Sequence, residues 1–440
     1  MSASASGTGT PAERRLRWLV AALDDPSALT VADVEPVYDT SEWFGDWSLE
    51  RELEGLHEGR HSASRPLTIE RVSATGTEAT AVLTGGDGKS WTVTCWVEGD
   101  EPHRITRARL VPTPPDGLVI RLASPDDGPA LAALERRAPL RLGKEPLTFM
   151  TFDHGEDYLA PSRLMEEATI YVGEIDGRLV GVYCGAIQKV ALDGDEKRLF
   201  LEHHVRIDPE AKRGAVFWAL CNFGRDHYAR AADSIAFYVS PENLALRKFV
   251  SDVAPWPVPP VRALLPSTPS GDVEQAGEQV TIGDADHVVG ILNGCNARSA
   301  LYVPYTEASL SSRLTRDPAQ YGWDDLRATA GAVVGVGRNL LRVTKERDGS
   351  VEETRRALVL DHGVHGGREA DYRALLRWWC DEVARRGGTH LAVFTSERSP
   401  TYGVVTELAD QLEPFDFWAF DIPQPRALGE GGFYVDPVYF

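Results

Sequence analysis

The stretch Leu199-Phe-Leu-Glu-His-His-Val205 returns in altered form as Leu358-Val-Leu-Asp-His-Gly-Val364. The two copies stay in register through apolar-rich stretches that contain Cys221 and Cys380. In each copy the residues predict a strand, a turn, a helix, a second strand, a Ser-Pro turn and a further helix. A repeat at the spacing of a whole domain indicates duplicated domains, because solenoid repeats are only about 20–50 residues long.

Length and charge limit the function classes. The chain has 440 residues, 42% of them hydrophobic, which predicts about three packed domains. Its formal net charge of −20 argues against a nucleic-acid partner, because such proteins present basic faces. The charge is compatible with attraction of cationic substrates such as amines, and simple solubility is the alternative explanation.

Cysteine usage and the N-terminus predict a cytoplasmic protein. The five cysteines are dispersed, with no CxxC pair and no metal-like spacing, which is typical of a reduced compartment and predicts no metal. The first residues lack the apolar core of a signal peptide, and no run of 18 apolar residues occurs. We therefore expect neither a membrane segment nor a membrane partner.

Two proline-rich stretches predict the domain boundaries. They are Pro112–Gly117 and Pro255–Pro260, the latter followed by Pro266–Gly271. Proline fixes φ and removes a backbone donor, so both stretches predict extended connectors. The predicted domains are 1–113, 117–265 and 275–440.

The first domain is predicted to be α+β. A capping box at Thr10–Glu13 opens a helix, two further helices follow, and the pattern then changes to a period of two over four antiparallel strands. This order resembles the NTF2/cystatin-like cone and the N-terminal domain of some actinobacterial serine hydrolases. The resemblance implies a ligand pocket or, alternatively, a docking or dimerisation module that would make the chain a homodimer.

The duplicated unit resembles the GNAT (GCN5-related) N-acyltransferase fold. The resemblance rests on the predicted order of strands and helices and on Val205–Gly214, which is similar to the loop that follows the fourth strand in that family. It implies two GNAT-like α/β mixed-sheet domains after the cone, and acetyl-CoA or another acyl-CoA as co-substrate. The implied cofactor-binding residues are Val205, Ile207, Lys212, Arg213, Gly214 and Ala215.

Both loops depart from the family pattern. In the middle copy, bulky Val216, Phe217 and Trp218 stand where the family has further glycines, which let a backbone approach phosphates closely. The second copy keeps Gly366 and Gly367 but places acidic residues nearby. The fold is therefore better supported than the cofactor.

Amine acylation needs a base, and the resemblance implies that the fourth strand provides it. Glu202 and His203 lie on the predicted fourth strand of the middle copy, and Asp361 and His362 lie on the equivalent strand of the second copy. Neighbouring strand residues point to opposite faces, so only one of each pair can face a given cleft. A structural hydrogen bond is the alternative role for these residues.

The acid that the family uses is a tyrosine, and this chain has Lys248 or Phe249 near that position. The resemblance implies an acyltransferase that acylates a small-molecule amine, as in actinobacterial specialised metabolism. The alternative is a degenerate GNAT-like protein that binds a ligand or partner without catalysis.

Overall fold

A computed structural model describes residues 9–40, 48–58, 63–154, 157–211, 213–228, 231–249, 255–256, 260–269, 276–297, 299 and 301–419. Two compact units are distinguished by their internal contacts. The smaller comprises Met1–Leu118 with Lys212–Ala219, and the larger comprises Val119–Ala211 with Leu220–Phe440.

The N-terminal part of the smaller unit is a helix packed on an antiparallel meander. Its elements are α1 (Pro11–Asp24), α2 (Val31–Val34), α3 (Leu49–Glu58), β1 (Thr68–Ala74), β2 (Glu78–Thr84), β3 (Ser90–Val97) and β4 (Ile105–Pro112). The Thr10 hydroxyl accepts a hydrogen bond from the Glu13 N–H and begins α1. Alternate residues of β2 and β3 are buried in a core with Leu16 and Val20. The predicted helices and four strands are confirmed, and the NTF2-like cone stays a prediction.

The larger unit holds the repeated segments. The helices that follow α3 are α4 (Gly128–Arg137), α5 (Ala160–Arg163), α6 (Arg213–Tyr228), α7 (Leu244–Phe249), α8 (Ala285–Asn296), α9 (Glu307–Arg316), α10 (Glu369–Arg385) and α11 (Tyr402–Leu408). All lie in the larger unit except the first part of α6, up to Ala219, which belongs to the smaller one. Short 3₁₀ turns cover Pro125–Asp127, Ile282–Asp284 and Trp323–Asp325.

Its strands form two sheets. They are β5 (Val119–Leu122), β6 (Leu140–Leu142), β7 (Thr148–Asp153), β8 (Glu167–Ile175), β9 (Arg178–Leu192), β10 (Asp195–Ile207), β11 (Ser234–Val239), β12 (Pro260–Pro266), β13 (Glu278–Gln279), β14 (Leu301–Tyr302), β15 (Leu326–Ala328), β16 (Ala332–Val336), β17 (Leu341–Arg347), β18 (Ser350–Val364), β19 (His390–Ser396), β20 (Gln411–Pro414) and β21 (Asp416–Ala419).

The first sheet has the order β21-β11-β10-β9-β8-β5, with β14 paired to β9. Strands β8, β9 and β10 are joined by tight turns. The dipeptide Asp176-Gly177 predicts a type I′ hairpin turn, because it tolerates positive φ at both positions. The φ angles of 50° and 77° confirm this turn. Strand β11 returns parallel to β10 after the crossover helix α6.

The second sheet repeats this plan around β18. It has the order β13-β15-β16-β18-β17-β7-β6, and β19 runs parallel to β18 after the crossover helix α10. The strand, helix and parallel strand that the repeat predicts are therefore present in both copies.

The two copies exchange strands, which the sequence did not predict. Pro260–Pro266, interpreted as part of a connector, is strand β12 and pairs with β19 and β20. From the sequence we expect Phe415–Phe420 and Phe433–Phe440 to close the last domain as a strand pair, but Asp416–Ala419 pairs with β11 of the first sheet. Strands β6 and β7 also join the second sheet, and β14 pairs with β9, so each copy supplies more than one strand to the other's sheet. The predicted closing strand at Phe433–Phe440 lies outside the described residues, and the boundaries 117–265 and 275–440 stay a prediction.

In the part of the chain that the structure describes, no helix is long and apolar enough to cross a membrane.

Candidate functional site

Strand β10 continues beyond the end of its pairing with β11. The two strands pair from Leu199 and Ser234 as far as Glu202 and Phe237. Against β9, two residues of β10, His204 and Val205, face a single partner residue, and His204 has a φ of 48°. This is a β-bulge, which bends a strand away from its neighbour.

The predicted cofactor-binding residues follow this bulge. Val205 and Ile207 lie in the last part of β10, and Gly214 and Ala215 lie in the first turn of α6. Gly214 is exposed, and a Cβ added there would meet no atom within 4 Å. Lys212 and the side chain of Arg213 lie outside the described residues.

The beginning of α6 is suited to an anion. The first N–H groups of a helix lack partners within it, and the helix dipole is positive at this end. No acidic residue lies in the first turn of α6. A phosphate group could therefore bind these N–H groups, as at other helix N-termini.

The equivalent helix of the second copy begins differently. Glu369 and Asp371 lie in the first turn of α10. The Glu369 carboxylate accepts a hydrogen bond from the Gly367 N–H at 3.1 Å, and Asp371 forms an ion pair with Arg368. These carboxylates already neutralise the helix end and would repel a phosphate.

Glu202 lies on the face of β10 that α6 covers. Its carboxylate accepts hydrogen bonds from the Tyr183 hydroxyl and from Arg225 Nε, the latter at 3.1 Å. Burial, reinforced by the Glu202 charge, raises the pKa of Tyr183 far above its usual range, so this hydroxyl remains a donor. Gly224 makes room for the Tyr183 ring, since a Cβ there would lie 2.4 Å from it. This arrangement is a buried ion pair between β10 and α6.

His203 lies on the opposite face of β10, and a pair of hydrogen-bonded histidines, His154 and His204, lies beside it. The Nε2 atoms of His154 and His204 are 2.7 Å apart and share a hydrogen bond. Loss of solvation, together with His154, lowers the pKa of His203 to about 3. Loss of solvation, together with Arg206, lowers the pKa of His154 to about 4. All these imidazoles are therefore neutral at neutral pH.

In the second copy, Asp361 is fully buried and saturated with donors. It accepts hydrogen bonds from Arg313 Nε at 3.0 Å, from the Tyr321 hydroxyl at 2.8 Å and from the Tyr305 hydroxyl. Arg313 belongs to α9, so Asp361 joins this helix to β18. A carboxylate held in this way stabilises the fold.

His362 bridges β18 and β19 where they separate. The strands pair only as far as Leu358 and Ala392, and His362 Nε2 lies 2.8 Å from the Phe394 carbonyl oxygen. A carbonyl can only accept, so Nε2 donates, and Nδ1 accepts from the Tyr372 hydroxyl of α10 at 2.8 Å. In the second copy this side chain occupies the opening between the strands.

The residues that the repeat makes equivalent lie on opposite faces. Glu202 contacts the crossover helix of its own copy, whereas Asp361 contacts α9. In β18 the register shift falls at Leu360, before the acidic residue, whereas in β10 it falls at His204, after it. One extra residue in a strand turns every later side chain to the opposite face of the sheet. His362, and not Asp361, therefore takes the position that Glu202 has in the first copy.

We expect His362 to make the protein sensitive to acid. Burial lowers its pKa from 6.5 to about 4, so the unfolded chain takes up a proton first. Stability should fall as pH drops from about 6.5 towards 4, by up to about 3 kcal/mol from this residue. His362→Gln preserves a donor and an acceptor but does not titrate. Urea unfolding at pH 7 and pH 4.5 should show a smaller acid loss in the variant, and equal losses would contradict this role.

The remaining candidates carry little chemistry. The side chains of Lys248 and Phe249, candidates for the catalytic acid, lie outside the described residues. Cys221 is buried, and Cys380 is nearly so, with burial raising its pKa to about 12, so both are unreactive thiols. Among the described residues, no group of three or more histidine, cysteine, aspartate or glutamate side chains could hold a metal ion.

No protein-family model matches the chain, and no curated protein sequence does. Among solved structures, N-myristoyltransferase of Saccharomyces cerevisiae with bound myristoyl-CoA matches with a TM-score of 0.54 at 7% identity, over 72% of this chain and 85% of that chain. Another structure of the yeast enzyme, with myristoyl-CoA and inhibitors, matches with a TM-score of 0.51 at 9% identity, over 97% of this chain and 96% of that chain. A tandem GNAT protein from the clavulanic acid biosynthesis pathway matches with a TM-score of 0.43 at 13% identity, over 70% of this chain and 99% of that chain.

The chain therefore has a mixed α+β fold that it shares with N-acyltransferases. At such low identities the likeness concerns the fold and not the activity.

Sequence reasoning missed most partners of the site. Tyr183 and Arg225 hold Glu202, His154 pairs with His204, and Tyr372 orients His362. These partners come from other strands and helices, and no local pattern marks them.

Proposed function

We propose that this protein is an N-acyltransferase that moves an acetyl or other acyl group from acyl-CoA to the amine of a small molecule. The observation that carries the proposal is the end of β10–β11 pairing at Glu202 and Phe237, followed along the chain by a helix whose first turn has no acidic residue. Fold similarity to N-acyltransferases supports it.

The middle copy is the proposed cofactor site. The diphosphate of CoA would bind the N–H groups at the start of α6, near Gly214 and Ala215, with Lys212 and Arg213 adding positive charge. Val205 and Ile207 are also proposed to bind the cofactor. The second copy is the weaker candidate, because acidic residues hold the start of α10 and His362 occupies its opening.

In the proposed reaction the amine nitrogen attacks the thioester carbonyl carbon. A C–N bond forms, the C–S bond breaks, and CoA leaves as a thiolate that takes up a proton. The predicted bases are Glu202 and His203. His203 lies directly after the last paired residues of β10 and β11, but burial lowers the pKa of its imidazole to about 3, which makes it a weak base for the amine proton. Glu202 is already bonded to Arg225 and Tyr183.

A second candidate function is ligand or partner binding without catalysis. Val216, Phe217 and Trp218 stand in α6 where the GNAT pattern has glycines. Side chains there would keep a diphosphate away from the backbone. The cytoplasmic location, a role in specialised metabolism and a homodimer all remain predictions.

Titration calorimetry with acetyl-CoA separates the two functions. We expect one binding site per chain, followed by release of free CoA thiol when a small primary amine is added. Absence of binding at about 1 mM acetyl-CoA, where the binding free energy is weaker than about −4 kcal/mol, would exclude the acyltransferase. Binding without thiol release for any amine of a broad panel would support the binding protein.

A further inference from the structure

A small cavity lies in the larger unit, beside the bulge of β10. Its volume is about 60 Å³. Five leucines contribute to its wall: Leu164, Leu340, Leu341, Leu358 and Leu360. The paired imidazoles of His154 and His204 and the side-chain amides of Gln320 and Asn339 also line it. The site therefore combines a largely apolar wall with a few uncharged polar groups.

The cavity lies where strands of both copies bend. His204 belongs to the bulge of β10, and Leu360 lies at the register shift of β18. His204 is also two residues beyond Glu202, where β10 and β11 pair for the last time. His204, which lines the cavity, therefore follows directly after Glu202 and His203, the predicted bases of the proposed reaction.

The walls favour an uncharged ligand group. The described lining residues include no aspartate, glutamate, lysine or arginine. An ion would lose its hydration there without gaining a partner, which is costly. The His154–His204 pair uses one donor and one acceptor on its own hydrogen bond, and the amides of Gln320 and Asn339 are uncharged, so none of these polar groups offers an ion an opposite charge.

We infer that this cavity binds a short, uncharged aliphatic group, because its lining carries no ionised side chain and its volume is small, about 60 Å³. The assignment rests on the proposed function for its source, which is either the acyl chain of the donor or the alkyl part of the acceptor amine. Both present the same chemistry to the leucines.

Two substitutions change the cavity in opposite directions. A Cβ at Gly337 would lie 3.3 Å from Leu360 Cδ1, so Gly337→Val fills the space. Leu358→Ala removes wall atoms and enlarges it. The hydrogen bond from the Gly337 N–H to the Leu358 carbonyl, 2.9 Å long, is between backbone atoms and survives both changes. Gly366→Val is the matched control, because a Cβ there meets no atom within 4 Å.

Xenon binding tests the cavity without any cofactor, because dry apolar cavities take up xenon. Crystals under xenon pressure should show an atom between Leu358 and Leu360 in the wild type and in Gly366→Val, and none in Gly337→Val. An empty cavity in the wild type would overturn the inference. Xenon binding in a protein that does not bind acetyl-CoA would retain the cavity and reject the acyltransferase.

Chain-length series identify the source of the aliphatic group. One arm varies the acyl-CoA from acetyl to hexanoyl with a fixed amine, and the other varies an n-alkylamine with fixed acetyl-CoA. Leu358→Ala should raise kcat/KM about tenfold for the longer substrates of one series only, either the acyl-CoAs or the alkylamines. One additional methylene group in an apolar pocket changes kcat/KM by about this factor. Gly337→Val should shift the same arm towards shorter chains. Unchanged preferences in both arms would overturn the inference.

Discussion

Gly214→Asp should weaken acetyl-CoA binding at least tenfold and leave the fold intact. The added side chain meets no atom within 4 Å, and a carboxylate in the first turn of α6 even favours the helix. It would, however, lie where the diphosphate is proposed to bind. A like charge about 4 Å away costs about 4 kcal/mol at an effective dielectric constant of about 20, and a third of that penalty is a tenfold loss. Titration calorimetry measures the effect.

Gly366→Asp supplies the matched control, because its added Cβ also lies in open space in the loop of the second copy. Its affinity for acetyl-CoA should equal that of the wild type. A loss in Gly366→Asp alone would move the site to the second copy. If both variants bind acetyl-CoA as tightly as the wild type, the diphosphate binds neither at Gly214 nor at Gly366.

Local signals predicted the elements of this fold but not their partners. Asp176-Gly177 predicted a hairpin because its turn requires positive φ at two residues, a property of the dipeptide itself. The proline-rich stretches Pro255–Pro260 and Pro266–Gly271 predict a connector, and the segment between them, Pro260–Pro266, is a strand. Both prolines lie at the ends of β12, and the first position of a strand is one that proline tolerates. Which sheet the strand joins depends on distant residues.

The candidate site was predicted only to the level of residue type. The repeat placed an acidic residue and a histidine on both central strands, as the structure has them. The sequence does not predict which face of the sheet each of these side chains occupies, because a single bulge residue, Leu360 in β18 or His204 in β10, determines it. Neither bulge changes the pattern of apolar residues enough to be seen in the sequence.

Breaking the ion pair of Arg313 with Asp361 should cost about 3–5 kcal/mol of unfolding free energy. Arg313→Met leaves a fully buried carboxylate with two tyrosine hydroxyls but no cation, and an uncompensated buried charge carries a penalty of this size. Urea unfolding at pH 7 measures the loss.

The double variant Arg313→Met with Asp361→Asn should recover much of this stability, because removing both charges removes the uncompensated one. Its acetyl-CoA affinity should match the wild type below the unfolding transition, since both residues belong to the second copy. A single variant that loses less than about 1 kcal/mol would show that Arg313 does not stabilise Asp361. A stable double variant that no longer binds acetyl-CoA would instead make Asp361 part of the cofactor or acceptor site.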